Sequence, residues 1–483
     1  MGLTFTSVEF IFFLGICLGL IHAVGRLPVR ICLVIIFSYF FCLTFGFAGA
    51  LVLTFTAIVN FFVGNKLGGS VNDAVRKRWL WAGLTANLVP LVFLKYSGFL
   101  LGILATLFRP LGAHFSAPSS LMFSVIGLSY FTFSGMSYVL DIYWEKMEPS
   151  RNFSEFLCFL VYFPKLVAGP IVRASDFLPQ LGQGFKVTAQ DFEIAFGYLL
   201  VGAAKKLVIA DQLASHVSTI MTSPQHYNAG TLLQGMIGYS VQIYADFSGY
   251  SDMAIGCARL MGVKFPQNFL MPYSSVNIAE FWRRWHVSMS SWFRDYVFMP
   301  LEFGGRSVPN ANVRASRNII ITMLLCGLWH GPSWNFVMWG GLHGVGLAVY
   351  QFYKSLRLSR VQRVQQPKRS LFHPGMLVSR VLTISFVMLC WIFFGTQTLS
   401  AAFGYLWRIV TWSADGVSLG SPYILPLAAL MFLAHLFINK DRNLVEELPT
   451  YSPPVRVLAY TSLLLALACL VPADAVPFVY VRF

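Results

Sequence analysis

Long apolar runs alternate with short polar stretches from one end of the chain to the other, and most runs are too long for the helices of a water-soluble core. Runs of about 18 residues or more, enough to cross a hydrocarbon layer as a helix, fall near 7–24, 29–63, 79–108, 119–144, 152–171, 192–221, 230–262, 318–353, 371–395, 423–438 and 455–475. The stretch 29–63 has room for two spans. This pattern predicts an all-α, polytopic membrane protein with about 11 transmembrane or re-entrant helices. The first run has no basic leader and no small-residue cleavage site after it, so it reads as a retained span. No polar stretch is long enough to fold alone, and 1–483 reads as one membrane-embedded domain.

The runs differ in kind. Residues 1–118 read as scaffold, because polar residues there are scarce and form no constellation. Across 119–353, Gly, Pro, Ser, Asp, Lys and His interrupt the apolar runs, as in Tyr162-Phe163-Pro164-Lys165 followed by Ala168-Gly169-Pro170. Broken backbone at membrane depth persists only against protein or a wet cavity, so the active region, the catalytic core, is expected in this stretch. Residues 354–483 read as closing helices.

Within the core, 318–353 lies between two basic stretches that both read as cytoplasmic, so it must enter the bilayer and return. His330 is thirteen residues beyond Arg317. That is about 20 Å of helix against a hydrocarbon core of about 30 Å, which places the imidazole deep in the membrane. Gly331-Pro332 follows at once and predicts a break, with His330 ending the first arm. The bland alternative is a core histidine bonded between helices; position, break and the flanking Trp329 and Trp334 favour function. His343, in Gly340-Gly341-Leu342-His343-Gly344, is a weaker candidate, and its glycines read as helix-packing positions.

Asn277 and Glu280 have the spacing of a capping box, so a helix is expected from about Ile278. At about 100° per residue, Ile278, Phe281, Trp282, Trp285, Met289, Trp292, Phe293 and Tyr296 fall on one arc. Arg283, His286, Ser290 and Arg294 line its border, which predicts an amphipathic helix at a membrane or cavity rim. Glu280 is placed to pair with Arg284 four residues on. Further upstream, Asp246 and Asp252 lie in an apolar run and need partners. Their six-residue spacing puts them on different helix faces unless the glycine between them bends the chain; pairing of the acids with the arginines or His286 is the expected arrangement, and orienting a reacting group is the alternative.

Composition agrees with a lipid environment: 56% of residues are hydrophobic and 11% charged, against about a quarter charged in soluble domains. The net charge of +15 would ordinarily raise the question of nucleic acid. Here the cations cluster at Lys66 with Arg76-Lys77-Arg78, Arg306/Arg314/Arg317, Lys354 to Arg369 and Lys440/Arg442, as cytoplasmic loops should. The tail after Arg456 is then expected to cross once more and end outside. The eight cysteines lie in or beside apolar runs with no CxxC pair, so neither disulfides nor a metal site is expected.

Three stretches in this order resemble the membrane-bound O-acyltransferase family, and specifically its bacterial arm of alginate O-acetylation. They are Asp246-Phe-Ser-Gly-Tyr-Ser-Asp-Met-Ala-Ile-Gly256, then Phe265-Pro266 with Asn268-Phe269 and Glu280 through Asp295, and Leu328-Trp-His-Gly331 through His343-Gly344. Phe163-Pro164-Lys165 to Arg173, Asp176 to Gln180, and Pro477-Phe-Val-Tyr are similar too. The resemblance implies a ring of helices around a thin core, with inner and outer funnels meeting near the histidine of the Trp-His-Gly motif. It makes His330 the principal catalytic residue and His286 the second candidate. Arg283, Arg294, Asp246, Asp252, Trp329 and His343 are the supporting or substrate-binding candidates. One departure is Leu301-Glu302-Phe303-Gly304-Gly305, where the alginate-type pattern runs from leucine directly into the glycines, and it leaves the acceptor open.

On this resemblance an acyl thioester, acetyl-coenzyme A or an acyl carrier protein, is substrate in place of any tightly bound cofactor. The implied partners are membrane lipid, periplasmic or membrane acetyltransferase proteins and a polysaccharide acceptor, in the bacterial inner membrane. D-alanyl transfer to teichoic acid is the family alternative. A polysaccharide exporter would need a wide polar path that the few charged residues inside spans do not provide, and a structural subunit would not hydrolyse a thioester.

Overall fold

The computed structural model describes residues 2–111, 125–304, 311–360, 373–438, 442–472 and 478. Arg306, the basic stretch 361–369, Lys440, and Pro477, Val479 and Tyr480 of the tail lie outside the described residues. The regular elements of the described residues are helices, as expected for a polytopic membrane protein. Four of them are long and apolar enough to cross a bilayer: Phe47–Gly68, Asp73–Phe108, Pro374–Gly395 and Pro453–Leu470. Shorter apolar helices are Val8–Ala23, Leu27–Leu43, Leu399–Val410 and Ile424–Phe437. The run 29–63 does hold two helices, and the backbone between Val161 and Ala174 is broken as its prolines and glycines imply.

The chain divides into two compact units. The first comprises residues 1–203, 250–266 and 448–456. Its centre is the helix Leu128–Tyr143, buried along all but its last residue and packed against Phe47–Gly68 and Asp73–Leu91. Those neighbours are not uniformly apolar. Asn60 and Asn87 are buried and exchange amide hydrogen bonds, Asn60 Nδ2 to Asn87 Oδ1 at 3.0 Å and Asn87 Nδ2 to Asn60 Oδ1 at 2.8 Å. Each amide answers the other where water is absent, a form of interhelical glue. Arg76, one of the cations of the first basic cluster, donates to the carbonyls of Ile142 and Tyr143 and pairs with Glu145. It therefore caps the negative end of the buried helix. Thr188 and Asp191 form a reciprocal cap at the start of Ala189–Ala203, and Asp191 also holds Arg259.

The second unit comprises residues 204–249, 267–447 and 457–483. Its best-packed feature is the pair Ala311–His330 and Trp334–Arg360, the hairpin expected for 318–353. A Cβ on Gly327 would stand 2.2 Å from the carbonyl oxygen of Phe336, and one on Gly340 would stand 2.3 Å from that of Met323. The two backbones therefore touch with no side chain between them, and the pairings 327 with 336 and 323 with 340 run antiparallel. Gly331, Pro332 and Ser333 make the break, and the Ser333 hydroxyl accepts from Asn335 N at 3.2 Å as the second helix starts.

Replacing Gly340 by Ala should lower the thermal unfolding midpoint of purified protein in detergent, with a cost of about 1–3 kcal/mol from overpacking. Gly341→Ala, whose new methyl would meet only Leu324 Cδ2 at 3.6 Å, should leave that midpoint unchanged or slightly raised. Equal midpoints for the two variants would contradict the backbone contact.

Candidate active site

His330 is the last residue of Ala311–His330 and is buried, with 4% of its surface exposed. Rings enclose it. Trp339, one turn into the returning helix, lies edge-on at 5.0 Å between centroids; Trp329 is at 4.9 Å and Phe394 at 5.0 Å. The hairpin creates this arrangement, because the Gly327–Gly340 approach brings the start of the second arm beside the end of the first. Trp334, the other flanking tryptophan, is by contrast exposed.

Two further histidines stand beyond these tryptophans. His343 packs against Trp339 at 4.8 Å, and His286 against Trp329 at 5.9 Å. The result is a buried file in the order His343, Trp339, His330, Trp329, His286. His343 Nδ1 accepts from the Trp282 indole N–H at 3.3 Å, so that nitrogen carries no proton. His286 Nδ1 meets the side-chain oxygen of Asn268 at 3.1 Å, and its ring lies edge-on to Phe247 at 4.6 Å.

The route by which His286 arrives differs from the single amphipathic helix that the periodicity predicts. Asn277 does cap a helix, accepting from Glu280 N at 2.8 Å, and Arg284 does pair with Glu280. That helix, Ile278–Trp282, then stops. The backbone turns through residues 283–286 and a second helix, Val287–Phe293, begins. Two bonds to a neighbouring segment impose the turn: Leu270 N donates to Arg284 O at 3.0 Å and Val287 N to Asn268 O at 2.9 Å. The turn also puts His286 at φ +44°, in the left-handed region, which costs roughly 1–2 kcal/mol for a residue with a Cβ. Strain of that kind persists where surroundings over-determine it, often at functional positions.

The polar border of the predicted helix is accordingly split. His286 is fully buried, whereas Arg283 and Arg294 are exposed and Arg294 pairs with Asp295 at 2.7 Å. The predicted apolar arc, from Ile278 to Tyr296, is buried throughout. The expected partners of Asp246 also need correction. It is buried on Ala229–Leu260, and its ion pair is with Lys206 at 2.7 Å; Lys206 also holds Asp211 at 2.8 Å. The lysine comes from a wide helical turn, Ala204–Ala210, and a long flexible cation there answers the buried carboxylate. Asp252, half-buried on the same helix, falls in the first unit.

Sequence reasoning missed three participants. Asn268 appeared only as part of a matching motif. Lys206 sits in the apolar run 192–221, and a cation in such a run is itself a signal of a buried partner. Phe394 had no local signal, since its role depends on which helix packs beside His330.

The model of the membrane-bound O-acyltransferase family matches residues 118–393, a range that contains the whole His–Trp file. The chain is 33% identical over 409 residues to a probable alginate O-acetylase of Pseudomonas aeruginosa, covering 84% of this chain and 74% of the relative. It is 31% identical over 430 residues to a peptidoglycan O-acetyltransferase of Helicobacter pylori, covering 83% and 76%. Similarity to a teichoic acid D-alanyltransferase of Bacillus subtilis is 29% over 244 residues, covering 49% and 61%.

The buried ion triad yields a stability prediction. Lys206→Met removes the ammonium between two buried carboxylates and should cost about 3–5 kcal/mol, the usual penalty for breaking one side of a buried pair. Adding Asp211→Asn and Asp246→Asn should restore most of it. Thermal unfolding in detergent reads both, and a triple variant no more stable than the single one would show that the charges do not depend on one another.

Proposed function

Because this chain belongs to the membrane-bound O-acyltransferase family and is an O-acyltransferase, we propose that it moves an acetyl group from a cytosolic thioester to a hydroxyl on the outer side of the bacterial inner membrane. The acceptor is an exported or cell-envelope polysaccharide such as alginate, reached directly or through a periplasmic or membrane acetyltransferase partner. Acetyl is favoured because the two O-acetylating relatives align with 84% and 83% of this chain. D-alanyl transfer is the second reading, supported by the 29% likeness to the teichoic acid enzyme across 49% of the chain.

The observation that carries the proposal is the enclosed His330 at the end of a hairpin arm, with histidines beyond Trp329 and Trp339 on either side. Thioesters are made inside the cell and the sugar hydroxyls lie outside, so donor and acceptor must meet within the membrane. In this reading His330 takes the proton of the acceptor hydroxyl as that oxygen bonds the thioester carbonyl carbon. The C–S bond breaks, and the leaving thiolate recovers the proton from the imidazolium. A transient acyl-histidine is a second route to the same products. His286 is the other catalytic candidate, Trp329 and His343 support the rings, and the exposed Arg283 and Arg294 suit the anionic part of a donor. Asp246 serves through Lys206 as structure.

His330→Ala should express and insert normally but lose acyl transfer by about 10²–10⁴-fold, the contribution of a positioned base. Polymer acetylation in cells and release of free coenzyme A from acetyl-coenzyme A by purified protein both read this. Wild-type activity in that variant sinks the assignment. His286→Ala and Arg283→Ala should reduce activity unequally; normal acylation by both would leave the turn at 283–286 with a structural role only.

A further inference from the structure

His286 is held by an unusually complete set of contacts for a side chain that offers a free nitrogen. Its Nδ1 lies 3.1 Å from Asn268 Oδ1. The same oxygen accepts from Ser288 N at 3.1 Å and from Ser288 Oγ at 2.9 Å. A backbone N–H can only donate, so the atom facing Ser288 N must be the amide oxygen, and the Asn268 amide cannot be turned around. An oxygen facing His286 Nδ1 in turn requires that nitrogen to carry the proton. The neutral ring then has a bare lone pair on Nε2, which is buried and has no hydrogen-bond partner among the described residues. The backbone bond from Val287 N to Asn268 O at 2.9 Å ties the two segments together and keeps the register. The rings packed on His286, from Phe247, Phe269 and Trp329, carry no titrating group that would compete for the proton.

We infer that Asn268 is a positioning residue that locks His286 in the Nδ1–H tautomer, so that Nε2 is a proton-accepting atom built into the site. His286 in this state accepts a hydrogen bond or a proton and cannot act as a neutral donor to a developing oxyanion through Nε2. His343 is held the opposite way, because its Nδ1 accepts from Trp282. The two outer histidines of the file are therefore chemically distinct. The left-handed backbone at His286 has its explanation here: the turn that imposes it is the one that delivers Nδ1 to Asn268.

The kinetic consequence rests on the acyl-transfer reading, but the tautomer does not, and the test keeps the two apart. Full-length protein labelled with ¹⁵N-histidine, with the His286 signals assigned by their loss in His286→Gln, should show a protonated Nδ1 and an unprotonated Nε2. Asn268→Leu should bring His286 to a mixture of tautomers. With acetyl-coenzyme A as the probe, its kcat should fall on the order of 10²-fold, the low end of what a positioned base contributes, with KM unchanged. Asn268→Asp, which keeps an oxygen in place, should recover the tautomer and most of kcat. A wild-type His286 protonated at Nε2 overturns the inference, even if Asn268→Leu fails to fold. So does an Asn268→Leu protein that keeps the wild-type tautomer or the wild-type kcat. A wild-type protein with the expected tautomer and no thioester hydrolysis supports the lock and counts instead against the acyl-transfer reading.

Discussion

Contact between two helix backbones at Gly327 and Gly340 governs the geometry of the second unit. With no side chain between them, Ala311–His330 and Trp334–Arg360 are pressed together over several turns, and the tip of the hairpin has little freedom. His330 ends one arm and Trp339 begins to line the other, so their edge-on packing follows from the helix contact and needs no separate device. Trp329 and His343 inherit their positions from the same two helices. The histidine file is thus a by-product of close packing, in which dispersion between many atoms at ordinary contact distance replaces the hydrophobic driving force that lipid does not supply.

A second constraint is the absence of water to satisfy polar groups. The protein meets it by pairing buried polar groups with one another. Asn60 and Asn87 answer each other, Lys206 serves two aspartates, and Arg76 takes the last carbonyls of the central helix of its unit. Each arrangement is costly to break from one side and nearly neutral to remove whole. The aromatic residues have a related function around the histidines. Trp282 supplies an N–H to His343, while Trp329, Trp339, Phe394 and Phe247 pack edge-on around His330 and His286.

Much of the site is legible in the chain itself. The break after His330 follows from Gly331-Pro332, since proline cannot continue the first helix. The start of the helix at Ile278 follows from the Asn277/Glu280 cap, and the buried arc from Ile278 to Tyr296 follows from period 3.6. What the periodicity does not register is the turn at 283–286. Helical period is a local property, and the bonds that end the helix come from Asn268 and Leu270, which are nearby in space and distant enough in sequence to leave no mark on it.

By itself, then, the sequence determined the all-helical membrane class, the hairpin and its break, and the residue types able to carry proton transfer, because these depend on hydropathy, proline geometry and side-chain chemistry that act within a few turns. Only the tertiary structure decided that Asp246 pairs with Lys206, that Arg283 and Arg294 face outward while His286 is buried, and that Asn268 holds that histidine's proton on Nδ1. These outcomes turn on distances of about 3 Å between segments far apart in the chain, where a shift of one side chain exchanges one hydrogen-bond partner for another.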